Sequence, residues 1–485
     1  MKKQIKHVKQ LLGIGLFSVL LAATFSCKKS SDTTTISAPA YSVGKPITGD
    51  TLYTGSYKGY LQQGKTYYLD GNVTINATDT LVVQPGVKVY VLGNYGFIIK
   101  GALLSLGTSA SPVWFTLPDV NKTDNESQSP LTDYAYKGNW LGFQCDTSCT
   151  HLIFKWTHIE YAGGLLGTAP VTGLKNGAQS WVVYTNNPRQ IFVMEDSWLY
   201  GSNDDAMRIS GARVHIFRNT FEKCGSDGGE CMNIKSGTTG NIAYNLIIGA
   251  ATEGIKPSQS GSNNPETFIV AYNNTILNGG YRQIELGRGG SIDYEDQARG
   301  QCYNNMIVDC KFGLRIVGVT TSYEGNSLIG ADTANITYGY TLTYCDSADQ
   351  AQQIYPIGLY TKPQSTDIPS PSLFIPAGYI PGDTLTPAQV KAVVGIDNPK
   401  FVNYPLPQPM FQSIAYATGW DFHLQSGSPA IGAGTTAFSL YSPVNGATTG
   451  AGAKVPQDDN YGYTTLTPPS FDLGAYPSNG NGNQH

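Results

Sequence analysis

Residues 218–247 read RNTFEKCGSDGGECMNIKSGTTGNIAYNLI, and two features of this stretch recur along the chain. The tetrapeptides at its ends, RNTF and YNLI, align without gaps with EDSW at 195, NNTI at 273, NNMI at 304 and GNSL at 325. Their second positions are Asp196, Asn219, Asn245, Asn274, Asn305 and Asn326, at intervals of 23, 26, 29, 31 and 21 residues. A recurrence of that length is one coil of a solenoid. An Asn at the same corner of each coil is expected to take a left-handed backbone conformation. Its amide is expected to meet the amides of the coils above and below, at a strand separation of about 4.8 Å.

The second feature is ECMNI at 230, which aligns with DAMRI at 205, EGIKP at 253, RQIEL at 282 and FGLRI at 312. Apolar third and fifth positions between charged or polar first and fourth ones describe a strand with one buried face. Pro257 interrupts the pattern and lacks a backbone donor. Upstream, Val73 and Ile75, Leu81 and Val83, Val87, Val89 and Val91, then Phe97 and Ile99 follow the same period. Turn signals at Pro85-Gly86, Gly93-Asn94 and Gly101 divide these runs. The expectation is an all-β chain whose body, residues 51–345, is a parallel β-helix of three-strand coils.

The segments DTLVVQPGVKVYV (79–91), FIIKGALLSLGT (97–108), SPVWFT (111–116), GNWLGF (138–143) and HIEYAGG (158–164) resemble the opening coils of secreted right-handed β-helix proteins of the pectate-lyase-like superfamily. DNPKFVN (397–403), DFHLQSGSPAIGAG (421–434) and FDLGAY (471–476) are similar to the closing segment of many of them. Between these, 346–405 reads as an insertion. It holds one short helix, with Thr386 as N-cap, Pro387 at the first helical position and Gly395 at the end. Residues 406–476 read as a closing coil or cap, and 477–485 (PSNGNGNQH) as a disordered tail.

The N-terminus reads as an export signal. Lys2, Lys3, Lys6 and Lys9 precede an apolar run, Leu11 to Ala23, that is short for a membrane span. The signal, residues 1–26, ends in LAATFSC, which resembles the lipobox of bacterial lipoproteins. That resemblance implies acylation of Cys27, a membrane anchor, and a polar tether over 27–50 in the cell envelope. Of eight cysteines, seven remain beyond the anchor. An odd number cannot pair completely, and both local disulfides (Cys145 with Cys149, Cys224 with Cys231) and buried thiols are open.

Charged residues make up 14% of the chain and the net charge is −4, so there is no basic footprint for nucleic acid. The charge that does concentrate lies on outward positions of the second column. Asp205, Glu230 and Glu253 are expected to stack, continued by Arg282, and Arg208, Asn233, Lys256, Glu285 and Arg315 to stack beside them. Three carboxylates at about 5 Å repel unless a cation intervenes, and calcium suits several oxygens in irregular geometry.

The pattern resembles the β-helix polysaccharide lyases. That implies calcium on Asp205, Glu230 and Glu253, Lys256 as the base, Arg282 assisting the leaving oxygen with Arg208 nearby, and Asn233, Glu285, Arg315 and Tyr281 along an acidic polysaccharide. Ordinary surface ion pairs, such as Glu253 with Arg282, describe the same residues without a ligand. Two further readings stand beside elimination. Asp204, Asp205 and Asp227 supply carboxylates for an inverting hydrolase. Alternatively Tyr161, Trp198, Tyr200 and Tyr281 stack on sugars in a protein that only binds glycan, although Trp198 aligns with inward Phe221, Ile247 and Ile276.

Overall fold

The computed structural model describes residues 44–120, 122, 132–260, 266–283, 288–316, 321–323, 326–346, 358–360, 394–404, 419–441 and 467–485. All belong to the unit Ala40–His485. The signal segment, Cys27, Glu285 and all but the last residues of the expected helix lie outside the described residues. Among the described residues no helix is long and apolar enough to cross a membrane.

The body is a parallel β-helix. Each coil contributes one strand to each of three stacked parallel sheets. The first sheet runs from the start of Thr66–Ile75 through Lys88–Val91, Val113–Thr116, Thr157–Ala162, Trp198–Ser202, Thr220–Glu222, Leu246–Ile248, Thr275–Leu277 and Met306–Val308 to Thr341–Tyr344. The second includes Gly96–Ile99, Gly142–Cys145, Val183–Thr185 and the starts of the long strands Met207–Phe217 and Met232–Ala243. The third includes Ala102–Leu106, His151–Lys155, Ile191–Glu195, the ends of the same long strands, Phe268–Tyr272 and Arg299–Tyr303.

Inward side chains of all three sheets fill one continuous core. Phe97, Phe115, Phe143 and Phe154 interlock in it, with ring centroids 4.8–5.5 Å apart. Period-two alternation is plain in the early strand Thr66–Ile75, where buried and solvent-facing residues alternate.

The corner between the third and first sheets holds the asparagine ladder. Asn219, Asn245 and Asn274 each donate their amide to the next Asn's Oδ1, at 2.9, 3.0 and 3.0 Å. The same oxygens accept the backbone N–H groups of Asn219, Asn245 and Asn274. Each amide also bonds a third-sheet carbonyl of the coil before: Met194, Ile216 and Ile242, with Asn305 on Ala271.

Two expectations change here. The left-handed residue is the one before the ladder position: Trp156, Asp196, Arg218, Tyr244, Asn273 and Asn304 have φ of 46–58°. The ladder residue itself points its amide inward to satisfy donors that the corner leaves without strand partners. The register of EDSW is also one residue off, because Trp198 pairs with Thr220. Ser197 therefore holds the ladder position and receives Thr157 N–H on its hydroxyl, and Trp198 faces outward. At the far end Asn326 leaves the ladder. It lies in an antiparallel hairpin with Tyr323, and Leu342 follows Met306 in the stack.

The closing segment lies along the flank of the solenoid. Phe401, Tyr404, Phe422, Leu473 and Tyr476 cover Leu246, Ile248, Leu277, Met306, Val308, Leu342 and Tyr344 on the outer face of the first sheet. Strands buried on both faces need apolar residues at consecutive positions, which accounts for the runs LII, TIL and MIV. The tail, despite its disorder-like composition, is placed: Asn483 is buried and donates to Asn219 O at 2.9 Å.

Candidate functional site

The charged column stands on the outer face of the second sheet, but its rungs differ from those expected. Arg208 pairs with Asn233 and Asn233 with Lys256. Ile255 then bridges Ile292, so the next rung is SIDYE at 291–295, and Asp293 pairs with Arg315. Arg282, expected to continue the first stack, stands outside it, and residues 284–286 of RQIEL lie outside the described residues. Arg282 turns back to the carbonyls of Cys224, Gly225, Ser226 and Gly249 at 2.7–3.0 Å, and its guanidinium lies over Tyr136. Tyr281 precedes it in the same loop, and Glu285 is outside the described residues.

The column is also buried. Asp205, Glu230, Asn233, Glu253, Lys256, Asp293 and Arg315 are all at most 5% exposed. Asp205 accepts from Arg208 (3.1 Å), Asn233 (2.8 Å) and the N–H of Glu230 (2.9 Å). Glu230 accepts from Lys256 at 2.9 Å and from Asn233 at 3.1 Å, and Lys256 also pairs with Glu295 at 3.2 Å. Glu253 accepts from Arg315 (2.9 Å) and from the N–H of Gly289 (3.1 Å), and Arg315 also bonds Asp293.

Glu230 and Glu253 are thus each paired with a cation of the chain, and burial, with Glu230 beside it, pushes the Asp205 carboxyl well above its usual value despite Arg208. Among the described residues no group of three or more His, Cys, Asp or Glu side chains is arranged to hold a metal ion. The donor set does not fit calcium.

The electrostatics fit a structural network. Burial works against the charge of Glu230, but Lys256 beside it wins and holds its carboxyl well below the usual range. Lys256, despite burial, is pushed well above its usual value by Glu230, Glu295 and Glu253. Burial raises Asp293 to about 7 against the pull of Arg315. A lysine held protonated by two carboxylates is a poor proton acceptor. Of the hydrolase carboxylates, Asp205 is buried in the network, burial raises Asp204 above its usual value, and Asp227 is exposed and accepts from Ser226 Oγ.

A different cleft opens on the outer face of the first sheet. It encloses about 530 Å³ and is lined by Lys88, Tyr90, Trp114, Lys122, His158, Glu160 and Trp198 with Thr116, Leu117, Asp119 and Val120. Register builds it: Lys88, Trp114, His158 and Trp198 are vertical neighbours on four coils, and Tyr90 and Glu160 flank them two residues further along. Strand stacking brings the rings face to face. Trp114 and His158 have centroids 3.5 Å apart and planes within 3°, and His158 and Trp198 are 3.9 Å apart within 7°. The Trp198 ring also meets the His485 ring at 3.6 Å. The next neighbour of Trp114 on its other side is Lys88, so that face has no aromatic cover from its own column.

The cleft floor is polar. Glu160 is buried, accepts from Thr116 Oγ1 at 2.7 Å and pairs with Lys122 at 3.3 Å. Lys122 also sits 4.5 Å over the Tyr200 ring. Burial, with Lys122 and His485 adding to it, lowers His158 to about 2, so its imidazole is neutral. Of the aromatics named from sequence, Tyr161 and Tyr200 are buried, and Trp198 is the one that reaches the cleft. Trp114, His158, Glu160 and Lys122 carry no motif that a reading of the sequence isolates. Their signal was an aromatic or His at 114, 158 and 198, but 44- and 40-residue spacings hide it beside the shorter coils downstream.

Compared with protein-family models, with curated proteins and with solved structures, the chain matches none.

Proposed function

We propose that this protein is an envelope-anchored β-helix of the pectate-lyase-like type that binds a polysaccharide, with the sugar rings seated in the Tyr90–Trp114–Trp198 cleft. The observation that carries this reading is the half-buried Trp114 ring, lining the cleft between Lys88 and His158 beside buried Glu160. Sugar C–H faces pack on an indole, while hydroxyls need fixed acceptors and donors of the kind that Glu160, Thr116 and Lys122 supply. Lys88, exposed at the rim, gives an ammonium for a carboxylated sugar, in keeping with an acidic polysaccharide.

The non-catalytic reading is preferred to elimination. The lysine and acids that a lyase would use are buried and paired with one another, and a general base must be free to take a proton from substrate. The lipid anchor at Cys27 would place the cleft at a membrane surface, where retention of a glycan chain is useful without turnover.

The test is affinity electrophoresis of the mature protein in gels containing polygalacturonate or cellulose-derived glucan. Retardation of the parent protein that disappears in Trp114→Ala supports the reading. Equal migration of parent and variant in every glycan removes it.

A further inference from the structure

The aromatic surface does not stop at the cleft wall. One coil nearer the N-terminus, Tyr68 pairs in register with Tyr90, and their rings stack with centroids 6.1 Å apart and planes within 29°. Tyr68 is 37% exposed, so its outer surface is open to solvent. Tyr68, Tyr90, Thr116 and Glu160 are successive outward positions of the first sheet, which makes a straight line parallel to the solenoid axis. At about 4.8 Å per coil, Tyr68 lies roughly 14 Å from Glu160 along that line. The opposite end is closed: the His485 ring lies on Trp198, and Asn483 is tied to Asn219 and Thr220 of the following coil.

We infer that the bound glycan is a linear chain lying parallel to the solenoid axis and running from the cleft towards the N-terminal coils, with Tyr68 as an outer subsite. The inference rests on the glycan reading of the cleft. It adds direction and length. A chain blocked by the tail at Trp198 can extend only past Tyr90, and an exposed tyrosine stacked on a cleft residue offers the next sugar an apolar face with a hydroxyl at its rim. Discrimination by length follows, because a short oligosaccharide fills the Trp114 site without reaching Tyr68.

The experiment is calorimetric titration of the mature protein with disaccharides and hexasaccharides of galacturonate and of cellulose. Parent, Tyr68→Ala and Trp114→Ala proteins are compared. Tyr68→Ala is expected to weaken the better hexasaccharide by about fivefold and to leave the matching disaccharide unchanged, as loss of one stacking contact requires. If Tyr68→Ala changes neither ligand, or weakens both by the same factor, the outer subsite and the chain direction are overturned while the cleft stands. If no oligosaccharide binds, or Trp114→Ala binds both like the parent, the cleft reading itself fails and the inference falls with it. Tyr68 is a surface residue, so the variant folds, and unchanged disaccharide binding reports that directly.

Discussion

Asn245 and Asn274 stand one above the other, and a single oxygen, Asn274 Oδ1, receives both the amide (3.0 Å) and the backbone N–H (3.1 Å) of Asn245. Asn274 Nδ2 in turn holds Ile242 O and Asn305 Oδ1, each at 3.0 Å. Asn274→Ala therefore strands donors and an acceptor in a water-free corner. The expected loss is about 3 kcal/mol of unfolding free energy, since each orphaned buried group costs ~1–3 kcal/mol. Urea denaturation followed by circular dichroism measures it; a variant within experimental error of the parent would mean that the ladder is ornamental.

Lys256 lies between Glu230 and Glu295 and is almost fully buried. Removing one partner of a buried ion network leaves uncompensated charge, so Lys256→Ala is expected to destabilise the protein by ~3–5 kcal/mol. Glycan retention per folded molecule should be unchanged. Thermal unfolding and gel retardation of the same sample separate the two effects.

The raised carboxyls give stability a pH dependence of definite sign. Burial raises Asp293 to about 7, and burial with Asp346 nearby raises Asp309 to about 8. The folded state therefore keeps protons that the unfolded chain releases near pH 3.9, and these two groups lower stability as pH rises from about 4 to 7 or 8. Glu230 has the opposite sign: its depressed pKa stabilises the fold above the ordinary glutamate value and is lost as pH falls through the folded-state pKa. Asp293→Asn removes one descending contribution. Relative to the parent, this variant should gain stability between pH 4 and 7, as read by denaturant midpoints across that range; a constant difference would show that Asp293 is ionised throughout.

The proposed acylation of Cys27 predicts that the full-length protein partitions into detergent and incorporates labelled palmitate, and that Cys27→Ser does neither. Equal labelling of both proteins would remove the anchor.

The fold was legible in the Asn column because one side chain serves every corner from 219 to 305, and a ladder of identical amides leaves an alignable trace. It failed at both ends for physical reasons. At 195–198 a Ser takes the amide's place and an Asp takes the left-handed position, so the eye aligns Asp196 with Asn219 instead of Ser197. At 325 a hairpin Asn imitates the motif. The charged column slipped because Ile284 and Leu286 imitate the apolar spacing of a strand in the sequence, whereas the rung that follows Ile255, Ile292-Asp293-Tyr294, is 37 residues beyond it. Burial of that column was invisible in sequence, since alternation tells which way a side chain points and not what later chain covers it. Arg288 and Gly289, which reach Glu230 and Glu253, come from such a cover.

Trp114 is the residue on which the proposed sugar site most directly depends. Titration of the mature protein with an acidic oligosaccharide should give saturable binding in the parent and at least about a tenfold weaker constant in Trp114→Ala, the loss expected for one indole stacking face. Parent and variant binding with the same constant, or no binding by either across neutral and acidic glycans, would contradict it.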